Sequence, residues 1–211
     1  MRIKWFSLIR ITGLLLVLLY HFFQTIFPGG FFGVDVFFTF SGFLITSLLL
    51  EEFGKKSQID LLGFFKRRFY RIVPPVVLMV LVTMPFTLLV RQDYVAGIGG
   101  QIAGVFGFMT NFYEMLTGGS YESQFIPHLF VHNWSLAVEV HYYILWGLAV
   151  WFLSKRSKSS SQLRGMVFLL SAGAFIISFF SMFIGSLMAS SYSSVYFSSL
   201  THVYPFFLGS I

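Results

Sequence analysis

Cysteine is absent from the 211 residues, which excludes disulfides, a thiolate nucleophile and any Cys-ligated metal centre. Charge is scarce as well: only 10% of the residues are Asp, Glu, Lys or Arg, against roughly 25% in a soluble domain. A chain so poor in charge cannot cover a water-exposed surface. Acidic residues number 8 against 14 Lys and Arg, for a net charge of +6. An excess of that sign suits nucleic acid, but here the basic residues stand in short clusters between long apolar runs, as membrane topology signals do. No nucleic-acid partner is expected. Internal repeats are lacking too, and "SKRSKSSSQLRG" is the one linker-like stretch.

What the chain has in quantity is apolar side chain, 56% of all residues with 20% aromatic, and a mean hydropathy of +0.80. The fold class this predicts is all-α, a polytopic integral membrane helix bundle embedded in a lipid bilayer, with five to six spans and the start of another. A span needs about 20 mostly apolar residues, and residues 11–27, 31–50, 73–90, 134–153 and 166–188 qualify. The Gly-rich, more polar stretch 94–112 either spans or is re-entrant. Re-entrant backbone is tolerated only where protein or a watery cavity surrounds it. The first run follows Arg2, Lys4 and Arg10 as a signal peptide does, yet no small-residue cleavage site follows "LLLVLL" and further apolar segments keep coming. A retained helix is expected. The chain stops at "PFFLGSI", early in an apolar run, so a larger protein is expected around it.

The basic clusters set an orientation. Arg2, Lys4 and Arg10 predict a cytoplasmic N-terminus, which puts "FPGGFFG" outside and the segment carrying Lys55, Lys56, Lys66, Arg67, Arg68 and Arg71 inside. If 94–112 is re-entrant, the basic stretch around Ser159 also falls inside; if 94–112 spans, it falls outside.

Several ionisable residues occupy positions where a bilayer makes them costly. Arg10 and His21 are eleven positions apart, which returns to within roughly 20° of one helix face about 16 Å along the axis. With Arg10 at the cytoplasmic boundary, His21 is expected near or just past the midplane. An intramembrane histidine is a functional candidate by default, set against a histidine that only bonds a neighbouring helix. Its expected partner is Glu139, in "VHNWSLAVEVHYYILW", because a carboxylate can orient and charge-stabilise an imidazole. Ser135, Tyr142 and Tyr143 are helical neighbours of Glu139; the plainer reading of this segment is an interfacial aromatic belt with a snorkelling glutamate.

In "LLGFFKRRFYRIVPP" the apolar residues Leu62, Phe65, Phe69 and Ile72 alternate with Lys66, Arg67, Arg68 and Arg71. That pattern predicts a cytoplasmic amphipathic helix over 59–72 before Pro74 opens the next span. Its arginines either anchor the chain on anionic lipid or grip phosphates. Asp35 caps a helix or shares a face with Gly42, seven positions on. His128 and His132 stand four apart in a loop, and no metal site is expected from them.

Taken in order, Arg10 with His21, "GGFFGVDVFFTFSGFLIT", "FKRRFYRIVPP" and "NWSLAVEVHYY" resemble the membrane acyltransferase family 3, and within it the membrane half of peptidoglycan O-acetyltransferases. The resemblance covers nearly the whole chain, or about the first half of such a membrane domain. It implies a multi-pass protein of the cell membrane that takes acetyl groups from cytoplasmic acetyl-CoA, with no tightly bound cofactor, and delivers them to a cell-surface glycan, muramic acid of peptidoglycan. Lysozyme resistance would follow. An extracellular esterase-like domain often accompanies the family. Carried over by position, the resemblance implies catalytic roles for His21, Glu139 and Arg10, and substrate binding by Arg67, Arg68, Arg71, Trp134 and Ser135. His21 would act as general base or as transient acetyl acceptor. A membrane transporter with a His/Glu proton relay and a non-catalytic membrane partner are the competing classes.

Overall fold

The computed structural model describes residues 4–89, 97–117, 128–189 and 192–211. Among them the chain is helical with no strand. Helix α1 covers Lys4–Phe22, a 3-10 turn at Pro28–Phe32 leads into α2, Gly33–Lys56, and α3 covers Leu61–Phe86. Two short helices follow, α4, Ile98–Phe106, and α5, Thr110–Thr117. Long helices return with α6, Asn133–Arg156, and α7, Ser160–Met188, and the chain closes on α8, Tyr192–Tyr196, and α9, Tyr204–Ser210. Four helices are long and apolar enough to cross a membrane: Pro28–Lys56, Leu61–Phe86, Asn133–Arg156 and Ser160–Met188, with the shorter apolar Leu8–Phe22 beside them.

Local chemistry explains the breaks. Pro28 biases Phe27 away from the α region, and Phe27 has φ −122° and ψ 59°, so α1 cannot run on into α2. The Asp60 carboxylate caps α3, accepting the Gly63 N–H at 2.9 Å; the Ser159 hydroxyl caps α7, accepting the Gln162 N–H at 3.2 Å. Because only Ser157–Ser159 separates α6 from α7, the two are forced antiparallel. Gly54, near the end of α2, lies beside Ser160 at the start of α7. The two basic turns therefore share one end of the bundle.

The core is built where α2, α6, α7 and α9 meet. Phe38, Ile45, Leu49 and Phe53 of α2 pack with Trp134, Val138, Tyr142, Trp146 and Val150 of α6, Leu163 and Val167 of α7, and Phe206 of α9. A Cβ at Gly42 would run into the Phe206 carbonyl, and one at Gly209 into the Thr39 carbonyl. Glycine at both positions is what lets α9 lie backbone-to-backbone on α2. Outward, Leu78, Leu81, Leu169, Ile177 and Leu187 are exposed apolar side chains, the surface expected of helices bathed in lipid.

Two expectations about the chain's organisation change. The amphipathic helix at 59–72 and the span from 73 form one continuous helix, α3, which carries Pro74, Pro75 and Pro85 inside it. Each proline deprives the carbonyl four residues earlier of its partner, but Tyr70 and Arg71 are exposed, so those carbonyls are not sealed in a dry core. The buried side chain of its first turns is Phe64, whereas Leu62 and Phe69 point outward. In the 94–112 stretch, 94–96 lie outside the described residues; the remainder is split between α4 and α5 by a turn in which Phe108 has φ 52°. At 1.5 Å per residue a helix of 9 residues is about 14 Å long, short of the roughly 30 Å hydrocarbon core.

Candidate functional site

Helix α1 carries two of the candidate residues, Arg10 and His21. Since it begins by Lys4 and stops at Phe22, Arg10 lies well inside it and His21 stands in its last turn. His21 is exposed at the helix end. Its Nδ1 is 2.9 Å from the Val17 carbonyl oxygen. A carbonyl can only accept, so Nδ1 holds the proton and the neutral ring keeps its lone pair on Nε2.

The ring that meets His21 is an imidazole, that of His132, while Glu139 lines a different cavity. The rings of His21 and His132 lie edge to face with centroids 4.7 Å apart, and both line a cavity of about 330 Å³ with Val17, Val34, Trp134 and Ser135. The expected carboxylate stands seven positions beyond His132, about two helical turns. His132 is the residue just before α6, whereas Glu139 lies two turns into the helix.

Glu139 faces a second cavity, of about 410 Å³, lined by Arg10, Arg71, Ser41, Phe40 and Leu136. Ser41 donates to Glu139 Oε1 at 2.6 Å, and the Tyr143 hydroxyl donates to the same oxygen. Ser135, expected as a neighbour of Glu139, instead donates to the His132 carbonyl at 3.3 Å. The Arg10 guanidinium lies over the Phe40 ring at 4.9 Å. Val17, Val34 and Ser135 line both cavities. One wall thus connects the Arg10, Arg71 and Glu139 group to the His21 and His132 pair.

The basic cluster divides among three settings. Arg67 pairs with Glu52 at 3.5 Å on the surface. Arg68 lies over the rings of Phe64 and Tyr143, 5.6 Å from each, and Arg71 enters the Glu139 cavity. Arg67 and Arg68, with Lys55 and Lys56, also line a polar pocket of about 310 Å³ between α2 and α3. Trp134 is almost fully buried; it stacks on His202 at 5.3 Å while bordering the His21 cavity.

Three polar groups escaped the sequence reading. Asp35 does not cap α2. It receives His202 Nε2 at 2.7 Å and the Tyr204 hydroxyl at 3.3 Å, while Gly42 meets Phe206, so the shared face of Asp35 and Gly42 is the one that α9 and its approach cover. His202 Nδ1 bonds the Tyr196 carbonyl at 2.7 Å. His128 bonds Glu114 at 2.8 Å, and burial pushes that carboxyl up from its ordinary value against the opposing pull of His128. The Asn111 amide donates to Ser199 Oγ at 3.0 Å, and His141 Nδ1 meets the same hydroxyl at 2.8 Å. His128 and His132 therefore serve different partners.

An acyltransferase-domain family matches residues 3–211. Among curated proteins, the chain is 32% identical over 205 residues to the O-acetyltransferase OatA of Staphylococcus aureus strain NCTC 8325, and equally to OatA of strains COL and MRSA252. Each alignment covers 96% of this chain and 33% of the relative, so the chain spans about a third of the length of those proteins. No solved structure matches it.

Proposed function

This chain belongs to the acyltransferase-domain family matched over residues 3–211, and on that premise we propose that it is membrane machinery of an O-acetyltransferase. Acetyl-CoA on the cytoplasmic side is the donor and a cell-surface glycan, muramic acid of peptidoglycan, is the acceptor. The observation that carries the reading is the shared wall of Val17, Val34 and Ser135. It supports a route in which an acetyl group held near Arg10, Arg71 and Glu139 passes to the neighbouring imidazoles of His21 and His132. His21 is the general base, since its lone pair is on Nε2. The guanidinium groups of Arg67, Arg68 and Arg71 suit the donor's phosphates. The names of the relatives support acetyl transfer to oxygen.

Acetyl-CoA affinity and glycan acetylation, measured on the full-length protein, test this reading. Arg67→Ala with Arg68→Ala is expected to weaken acetyl-CoA binding at least ~tenfold, because charge-assisted contacts contribute about 1.5–3 kcal/mol each. Unchanged affinity removes the arginines from the donor site; a full-length protein that adds no acetyl to the wall, and whose loss leaves wall acetate unchanged, removes the substrate as well.

The orientation proposed with it has the N-terminus and both basic turns in the cytoplasm. Their shared end of the bundle, seen in Gly54 beside Ser160, supports this. A cysteine replacing Ser159 is then expected to resist an impermeant thiol reagent in intact cells and to react once the membrane is opened. Labelling of intact cells would reverse the topology.

A further inference from the structure

His132 is drawn into no role by the family motifs, yet it is the group placed against His21. We propose that His132 is a second catalytic residue, whose ring N–H binds the carbonyl oxygen of the acyl group while His21 takes the acceptor's proton. The inference deepens the acyl-transfer reading and rests on it.

Three observations lead there. Both imidazoles line the same cavity of about 330 Å³, so a group between them touches both. The Val17 carbonyl fixes the Nδ1 proton of His21, leaving Nε2 as the basic atom. Finally, ring centroids 4.7 Å apart are too close for two imidazolium charges to coexist cheaply. Once His21 accepts a proton, its neighbour must be neutral. A neutral imidazole still has one N–H, and an N–H donor beside a developing oxyanion lowers acyl-transfer barriers. The charged groups across the shared wall act in the same direction. Across Val17, Val34 and Ser135 stand Arg10, Arg71 and Glu139, two positive and one negative, and His202 behind Trp134 is already held by Asp35.

The step balances with an acyl thioester as donor. The acceptor O–H bond breaks, its proton passing to His21 Nε2 as the oxygen forms a bond to the acyl carbon. The carbonyl π pair moves onto oxygen and is met by the His132 N–H. Collapse restores the carbonyl, breaks the C–S bond and expels thiolate, which takes the proton back from His21. The products are ester and thiol, and both imidazoles return neutral.

The test is steady-state acetyl transfer by the full-length protein with His132→Ala and His132→Gln, each checked for membrane insertion. His132→Ala is expected to lower kcat about 10²- to 10³-fold with little change in KM, the loss typical of one oxyanion donor. His132→Gln is expected to recover at least tenfold of that, because its amide keeps an N–H donor. Equal losses in both variants, a loss confined to KM, or near-normal kcat in His132→Ala would each overturn the role of His132 while leaving acyl transfer standing. A wild-type protein that transfers no acetyl would overturn both.

Discussion

Replacing His21 with alanine is expected to abolish acetyl transfer while leaving the helices in place. General-base catalysis contributes about 10² to 10⁴ in rate, and a covalent acetyl carrier would add to that. The geometry makes the experiment clean. His21 is exposed at the end of α1, where substitutions usually change stability within about ±0.5 kcal/mol, and α1 is also held to its neighbours by the close approach of Gly13 to Phe37 and Gly33. The contact it loses inside α1 is the side-chain bond to Val17, which the helix backbone does not need. Transfer by a properly inserted His21→Ala protein at more than a tenth of the wild-type rate would make the histidine a packing residue.

The same residue shows what a sequence can and cannot convey about this fold. Length and hydropathy were enough to place the helices at 31–50, 134–153 and 166–188, because a bilayer demands about 20 apolar residues and tolerates little else. Helix ends were less legible. Pro74 reads as a start when only local rules apply, but tertiary packing of Phe64, Val76 and Val80 carries α3 through it. Pairings were the least legible. An 11-residue spacing put Arg10 and His21 on one face, yet it could not say that the opposite wall holds His132 for one and Glu139 for the other. That depends on how α1 and α6 are offset along their axes. His202 had no local signal at all. Its partner Asp35 is 167 positions away, and the two meet because Gly42 and Gly209 let α9 settle onto α2.

The offset between α1 and α6 also gives Glu139 a role distinct from orienting His21. It is the acidic side chain lining a cavity into which Arg10 and Arg71 project, with Arg68 close on the far side of Tyr143. Its oxygen already accepts from Ser41 and Tyr143, so it is held still rather than free to follow a substrate. Charge balance is what such a carboxylate supplies: without it, two guanidinium groups share a partly desolvated space unopposed. Glu139→Gln is expected to slow transfer about 10- to 150-fold, the equivalent of one charge-assisted interaction of roughly 1.5–3 kcal/mol. It should also lower the thermal midpoint of the detergent-solubilised protein. The amide keeps the size and can still accept from Ser41, so these effects report charge more than shape. Arg71→Gln on its own should also reduce transfer. Combined with Glu139→Gln, it removes one of the two charges left uncompensated, and the double variant should be more stable than the two single losses sum to, by about 0.5–3 kcal/mol. Strict additivity would mean that Glu139 and Arg71 share a cavity without sharing an energy, and Glu139 would then act through Ser41 and Tyr143 alone.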